Sequence, residues 1–396
     1  MRAATRYQDF RSALSGHALP AAVVDLAAFD ANIQTVLDRA GQQPIRLGTK
    51  SLRCTALMRR IQSADPRFQG LLCYHALEAV WLAKQGFSDL LVAYPTVNTS
   101  AVGAVCDATR NGHRITLMVD SVEHVRRLDA LAKASGVVLP LCLDIDMSLA
   151  LPGLWFGVRR SPVTTTDDAL AVWRAIADSA CLRLDGVMGY EAQIAGLADA
   201  DPAQRLRSAV VRRLKSMSRK QLRRRRGEIV TALTDAGAQL RFVNGGGSGS
   251  LESTAADPSV TEVTAGSAFF APASFDHLAG FGCRPAAGFA LEVARIPAPG
   301  LFTCHGGGYI ASGAPGDDRL PGPWLPDGLH LTAGEAAGEV QTPLRGDVAL
   351  DIGDPVFLRH AKAGELCEHF KALLLVSGNE IQDTVATYRG EGQCFL

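Results

Sequence analysis

The chain has 396 residues, 47% of them hydrophobic and 20% charged, a composition that suits a folded protein with a large core and room for two domains. Forty basic and forty acidic side chains cancel to a formal net charge of zero, which argues against a protein held by nucleic acid or an anionic membrane. Nine cysteines, an odd number without paired spacing and mostly set in apolar stretches such as Leu71-Leu72-Cys73, read as reduced core thiols in a cytoplasmic protein.

The N-terminus carries early charges at Arg2, Arg6, Asp9 and Arg11 and no apolar run of the kind a secretion signal needs. No stretch approaches the ~18 uncharged apolar residues of a membrane span. From about residue 20 the pattern becomes short apolar strand, loop and amphipathic helix, repeated. Strands are expected at 21–25, 45–47, 70–73, 90–92, 115–119, 139–145, 184–188, 240–243 and 260–264. Helices between them carry Ala, Leu and Arg at helical spacing, as at 27–40, 76–84, 122–133 and 166–178. Such alternation predicts parallel strands, and about eight or nine units in roughly 250 residues is the size of a (β/α)8 TIM-type barrel. After Phe275 glycines, prolines and alternating strands replace the helices, at 288–295, 307–311, 329–331, 337–341, 355–358 and 373–376. The fold class is therefore α/β, a barrel over residues 20–274 followed by an all-β domain over 275–396, which residues 1–19 are expected to join.

Two features inside the barrel carry chemistry. Lys50, in Ile45-Arg46-Leu47-Gly48-Thr49-Lys50, stands at the mouth of an early strand. An amine partly withdrawn from water there is a usable nucleophile and can form a Schiff base with a carbonyl, although most lysines are simply solvated charges. Late in the barrel comes Asn244-Gly245-Gly246-Gly247-Ser248, and one strand later Gly266-Ser267. Consecutive glycines let backbone N–H groups approach an anion, serines add hydroxyl donors, and the loops after late barrel strands are where this architecture binds phosphate. Neither a Walker loop nor a dinucleotide fingerprint is present, and a flexible turn is the plainer alternative. A Schiff-base lysine with a phosphate cup suggests pyridoxal 5′-phosphate (PLP). The basic run 205–226, ending in Arg223-Arg224-Arg225-Arg226, reads as a solvated helix with an apolar face of Leu206, Val210, Leu214 and Leu222, not as a nucleic-acid contact.

The order of motifs Pro20 to Ile33, Lys50, Leu91-Val92-Ala93-Tyr94-Pro95, Gly186-Val187-Met188-Gly189-Tyr190-Glu191-Ala192-Gln193 and the Gly245 loop resembles the D-threonine aldolase and D-serine dehydratase family. The tail His360-Ala361-Lys362-Ala363-Gly364-Glu365-Leu366-Cys367 resembles the bacterial amino acid deaminase/aldolase group within it. The resemblance implies an alanine-racemase-type barrel with a β-domain. It implies Lys50 as the cofactor-linked lysine, Tyr190 beside the cofactor ring, and Asn244, Gly245, Gly246, Gly247, Ser248, Gly266 and Ser267 around the phosphate. Arg159 and Arg160 are both candidates for the ring hydroxyl. It also implies a homodimer in which the β-domain of one subunit lies over the barrel mouth of the other.

Three departures stand out. The family commonly has Arg-Pro-His-x-Lys at the lysine, where this chain has Arg46-Leu47-Gly48-Thr49-Lys50. A family histidine three positions after the tyrosine falls on Gln193. Metal-binding relatives use a histidine two residues before Cys or Asp, where this chain offers Glu365 and Cys367, with His360 and His369 nearby; Zn²⁺, Mn²⁺ or Mg²⁺ is the ion expected there. His305 is a further candidate to reach the site. The expected function is a PLP-dependent lyase that cleaves or dehydrates a small β-hydroxy D-amino acid. The alternatives are an amino acid racemase using Lys50 and a partner's Tyr309 as bases, and a non-catalytic PLP-binding protein.

Overall fold

The computed structural model describes residues 3–396. Eight parallel strands close into a barrel in the order Ile45–Gly48, Phe68–Cys73, Leu90–Val92, Ile115–Val119, Leu139–Asp144, Leu182–Gly189, Phe242–Gly245 and Glu262–Ala265. These strands read as almost unbroken buried runs, because helices cover them outside and side chains fill them inside. The helices start where the sequence can cap them. Asn98 accepts from Ala101 N, Ser121 from His124 N, and Thr165 and Asp168 form a reciprocal capping box.

The strand expected to open the barrel does not belong to it. Ala21–Asp25 runs antiparallel to Ala287–Ala298 and parallel to Ala372–Ser377, inside a nine-stranded sheet built otherwise from the C-terminal region. The strand forms where expected but pairs in the other sheet, since an apolar pentapeptide carries no information about which sheet will pair it. Expected strands at 307–311 and 337–341 are displaced; the chain pairs Leu301–His305 with Gln341–Arg345 instead. The N-terminal helix Ala3–Ala13 packs on this sheet, with Phe10 edge-on to Trp324 and Phe357.

The basic run lies in one 31-residue helix, Arg205–Asp235, but its buried stripe is not the expected one. Leu206 and Val210 are 87% and 59% exposed, while Val211, Lys215, Leu222, Arg226 and Ile229 face inward. Two of those inward residues are cations, and each has an acidic partner: Lys215 with Asp199 at 3.0 Å, Arg226 with Asp257 at 2.6 Å. Among the described residues no helix is long and apolar enough to cross a membrane.

Candidate active site

The cavity at the C-terminal mouth of the barrel brings the two sequence features together. Lys50, Tyr190, Asn244, Gly246, Gly247, Ser248, Gly266 and Ser267 all line it, joined by Ser51, Tyr94, Arg160 and Thr264. Lys50 lies in a short 3-10 turn, Thr49–Ser51, that follows Ile45–Gly48 directly. The turn is pinned: Thr49 Oγ1 donates to Leu72 O at 3.0 Å, and Arg53 Nε donates to Lys50 O at 3.0 Å. The Lys50 side chain itself is exposed at the rim, not desolvated as the strand-mouth argument supposed.

The glycine loop is held open from behind. Glu191 Oε2 accepts from Gly246 N at 2.8 Å, and its other oxygen accepts from Thr254 Oγ1 and Arg226 Nη2 at 2.7 and 3.1 Å. Gly246 takes φ +81°, in the left-handed region that favours glycine. A Cβ on Gly247 would come within 2.9 Å of the Tyr190 ring, and one on Gly266 within 3.0 Å of Gly48 O and Ser51. Ser248 Oγ accepts from Gly266 N and Ala268 N at 3.2 and 2.9 Å, tying the two loops together, and Ser51 and Ser267 hydroxyls lie 3.1 Å apart.

Two of the expected phosphate residues do other work. Gly245 is outside the cavity; a Cβ there would meet Thr254 and the Arg226 guanidinium at 3.0 and 3.1 Å. Asn244 touches the cavity but spends its amide on Glu262 and Thr264, both at 2.9 Å. Glu262 in turn pairs with Arg46 at 2.7 Å, so Arg46 is a barrel-core cation.

The structure separates the two arginines left open by the sequence. Arg159 stacks over Trp155 at 4.4 Å. Arg160 lines the cavity and lies between the rings of Tyr94 and Tyr190, at 5.9 and 5.8 Å. Burial pushes the Tyr190 phenol up to about 12, against the pull of Arg160. Arg160 also opens onto an adjoining acidic recess with Asp120, Asp144 and Asp146. There burial, with the neighbouring carboxylates, pushes Asp144 up to about 7. Sequence reasoning missed this recess, because its acids come from two different strand ends.

Gln193 is not a cavity base lost. It is buried, donates to Met147 O and Ser218 Oγ at 2.5 and 2.9 Å, and does not line the cavity. His305 is exposed at the end of its strand. Tyr309 packs in its own sheet region, its ring 4.8 Å from that of His369.

The expected metal pair does not converge. Cys367 is fully buried and donates its thiol to Leu52 O at 3.2 Å, and burial keeps that thiol strongly protonated. Glu365 accepts instead from Ser312 N at 2.8 Å and from the Ser312 hydroxyl. Among the described residues no three His, Cys, Asp or Glu side chains are grouped to hold a metal. The residues present therefore do not fit a metal on Glu365 and Cys367. This segment packs instead on the turn that carries Lys50: Gly364 lies so close that a Cβ there would clash with Lys50 O.

Residues 24–273, well over half of the chain, match the family described as alanine racemase, N-terminal domain. The chain belongs to that family. A curated relative, 3-hydroxy-D-aspartate aldolase of Paracoccus denitrificans (strain Pd 1222), is 23% identical over 260 residues, which is 65% of this chain. The matched part spans 62% of that relative's length. D-threonine aldolase from Filomicrobium marinum shares the fold with a TM-score of 0.79 at 20% identity, over 94% of this chain and 95% of that one. D-threo-3-hydroxyaspartate dehydratase from Delftia sp. HT23 superposes with a TM-score of 0.74 at 22% identity, over 95% and 98%.

The alanine racemase family implies PLP, and the cavity fits it. The backbone at Gly247 and Gly266 is bare where a side chain would fill the cradle, with Ser51 and Ser267 hydroxyls beside it. Lys50 supplies the amine at the rim, and the tyrosine side of the cavity supplies a flat wall.

Proposed function

We propose that this protein is a PLP-dependent lyase acting on a small β-hydroxy D-amino acid, by aldol cleavage or by dehydration. The observation that carries the reading is the single cavity joining Lys50 to the loops Gly246-Gly247-Ser248 and Gly266-Ser267. The D-configured β-hydroxy substrate is taken from the aldolase and dehydratase relatives. When bound, the cofactor supplies a sink for negative charge at the substrate Cα.

The chain's own residues supply the rest. Lys50 holds the cofactor and, once released, its amine carries the proton at Cα. The bare backbone at Gly247 and Gly266, whose own N–H groups are held by Ser250 and Ser248, shapes the phosphate cradle, and the Ser51 and Ser267 hydroxyls hold the phosphate in it. Tyr190 packs on the ring, and Arg160 is the cation at the ring hydroxyl. A homodimer belongs to the same proposal: Ile310 and Val340, 53% and 60% exposed beside the Tyr309 loop, are apolar groups that a second copy would cover. All nine cysteines are free, in keeping with a reducing, cytoplasmic setting.

The test is direct. Purified protein should be yellow, with a band that borohydride removes while fixing the cofactor to Lys50. It should consume D-threonine, D-serine or a 3-hydroxy-D-aspartate in preference to their L-forms. A colourless protein that takes up no added PLP defeats the reading.

A further inference from the structure

The cofactor cavity does not end at Arg160. Tyr94, Arg160, Met188 and Tyr190 line both that cavity and a recess of about 270 Å³, so the two spaces adjoin. The barrel's register fills the recess with negative charge. Val119 pairs with Leu143, which sets the next residue of each strand, Asp120 and Asp144, side by side, and Asp146 follows two residues on. Like charges on neighbouring strands repel, so this arrangement costs stability unless a positive group stands among them.

The protein itself supplies only part of that positive charge. Asp146 spends Oδ1 on Ser148 N at 3.0 Å, on the Ser148 hydroxyl and on Arg225 Nη1 at 3.3 Å, and His124 Nδ1 lies 2.9 Å from Asp120 Oδ1. Asp146 is 4% exposed, yet its Oδ2 accepts no hydrogen bond among the described residues, and neither oxygen of Asp144 accepts one. Arg160, the cation that lines the recess, lies instead over the Tyr94 and Tyr190 rings. Burial and the charge of Asp120 push the Asp144 carboxyl up to about 7, as expected of a carboxylate short of a positive partner. Among the described residues no three of these side chains are grouped to hold a metal ion. An ammonium needs no such cage, because it brings three donors on a flexible stem.

We propose that this recess is the subsite for the substrate side chain, and that it selects a β-hydroxy D-amino acid whose side chain ends in an ammonium, as in 3-hydroxy-D-lysine. The side chain passes Tyr94 and Arg160 from the cofactor cavity, and its ammonium donates to Asp144, to the free oxygen of Asp146 and to Asp120. A side chain that ends in carboxylate meets three acids there and is turned away. The recess takes no part in bond breaking; it decides which amino acid is held at the cofactor. The inference rests on the lyase reading above.

Two measurements on the holoenzyme test it. The first follows the cofactor absorption band as D-lysine or D-norleucine, whose unbranched chain ends in methyl, is added, and it needs no turnover. The second compares kcat/KM for 3-hydroxy-D-lysine and 3-hydroxy-D-norleucine. In both, the parent should favour the ammonium by about 10-fold or more, and 3-hydroxy-D-aspartate should be a poorer substrate than either. Asp144→Asn, and separately Asp120→Asn, should bring the ratio of ammonium to methyl toward one. A ratio taken within one protein cancels any general loss of cofactor or lysine function. A parent without the preference, a preference for 3-hydroxy-D-aspartate, or a ratio unchanged in both variants overturns the proposal. A parent that favours D-lysine in the titration but turns over no β-hydroxy amino acid sinks the lyase reading and supports the recess as an ammonium subsite. Turnover of β-hydroxy D-amino acids with no such preference sinks this inference alone.

Discussion

Glu191 and Gly246 are joined by a 2.8 Å hydrogen bond in which the buried carboxylate accepts from the backbone N–H at the start of the glycine loop. That bond fixes the start of the loop, and the next N–H, that of Gly247, is held by Ser250 Oγ at 3.1 Å, so the loop has its shape before any ligand arrives. Because the same carboxylate also pairs with Arg226, which is 2% exposed, the loop is anchored to the long basic helix. Glu191→Ala should therefore fail twice over. Arg226 keeps Asp257 at 2.6 Å, so losing this partner should cost about 1–3 kcal/mol of stability, and the slackened loop should weaken PLP binding by about 10- to 100-fold. Thermal melts and cofactor titration measure the two effects. Unchanged PLP affinity would show that the loop is ordered without its anchor.

Gly247→Ala separates loop shape from loop anchoring. The new Cβ would meet the Tyr190 ring at 2.9 Å and Ala195 Cβ at 3.1 Å, so the ring must move. The expected outcome is a protein of near-normal thermal stability whose bound cofactor shows a shifted absorption maximum and a weaker Kd. A normal spectrum and affinity would place Tyr190 away from the cofactor.

Cys367→Ala tests the corrected metal assignment. The thiol is fully buried against Leu52 O, so its removal should cost about 1 kcal/mol through a small cavity and a lost weak hydrogen bond. Activity per bound PLP should stay within a factor of about two, since its loss perturbs only packing behind the Lys50 turn. A collapse of activity at full cofactor occupancy, restored by added Zn²⁺ in the parent alone, would reinstate the thiol as a ligand.

Glu78 gives a pH signature. It is fully buried under the Lys50 turn, accepting from Tyr74 N at 2.7 Å and from the Tyr388 hydroxyl at 2.9 Å, and burial pushes its carboxyl up to about 7 from 4.5. A raised folded value means the native state holds the proton more tightly than the unfolded chain. The stabilisation is thus complete below about pH 4.5 and is lost as pH rises through about 7. Glu78→Gln cannot ionise, so the parent's thermal midpoint should fall relative to the variant's across that window. A constant difference from pH 4.5 to pH 8 would mean the carboxylate is already ionised in the fold.

Much of this protein is written locally. Strand–helix alternation predicts a parallel barrel because each unit's apolar period depends only on its own residues. Lys50 and the Gly246-Gly247-Ser248 loop are legible for the same reason: a nucleophile and a bare backbone are properties of residue type. The tertiary structure decided everything that depends on a partner distant in the chain. Ala21–Asp25 has the pattern of a barrel strand, yet it finds Ala372–Ser377, some 350 residues away, because edge hydrogen bonds do not discriminate by sequence. Arg226 looks like a solvent-facing member of a basic run until Glu191 and Asp257 are folded against it. The choice of Arg160 over Arg159, and the packing of Gly364 on the Lys50 turn, follow from loop paths set by packing, which no local period records.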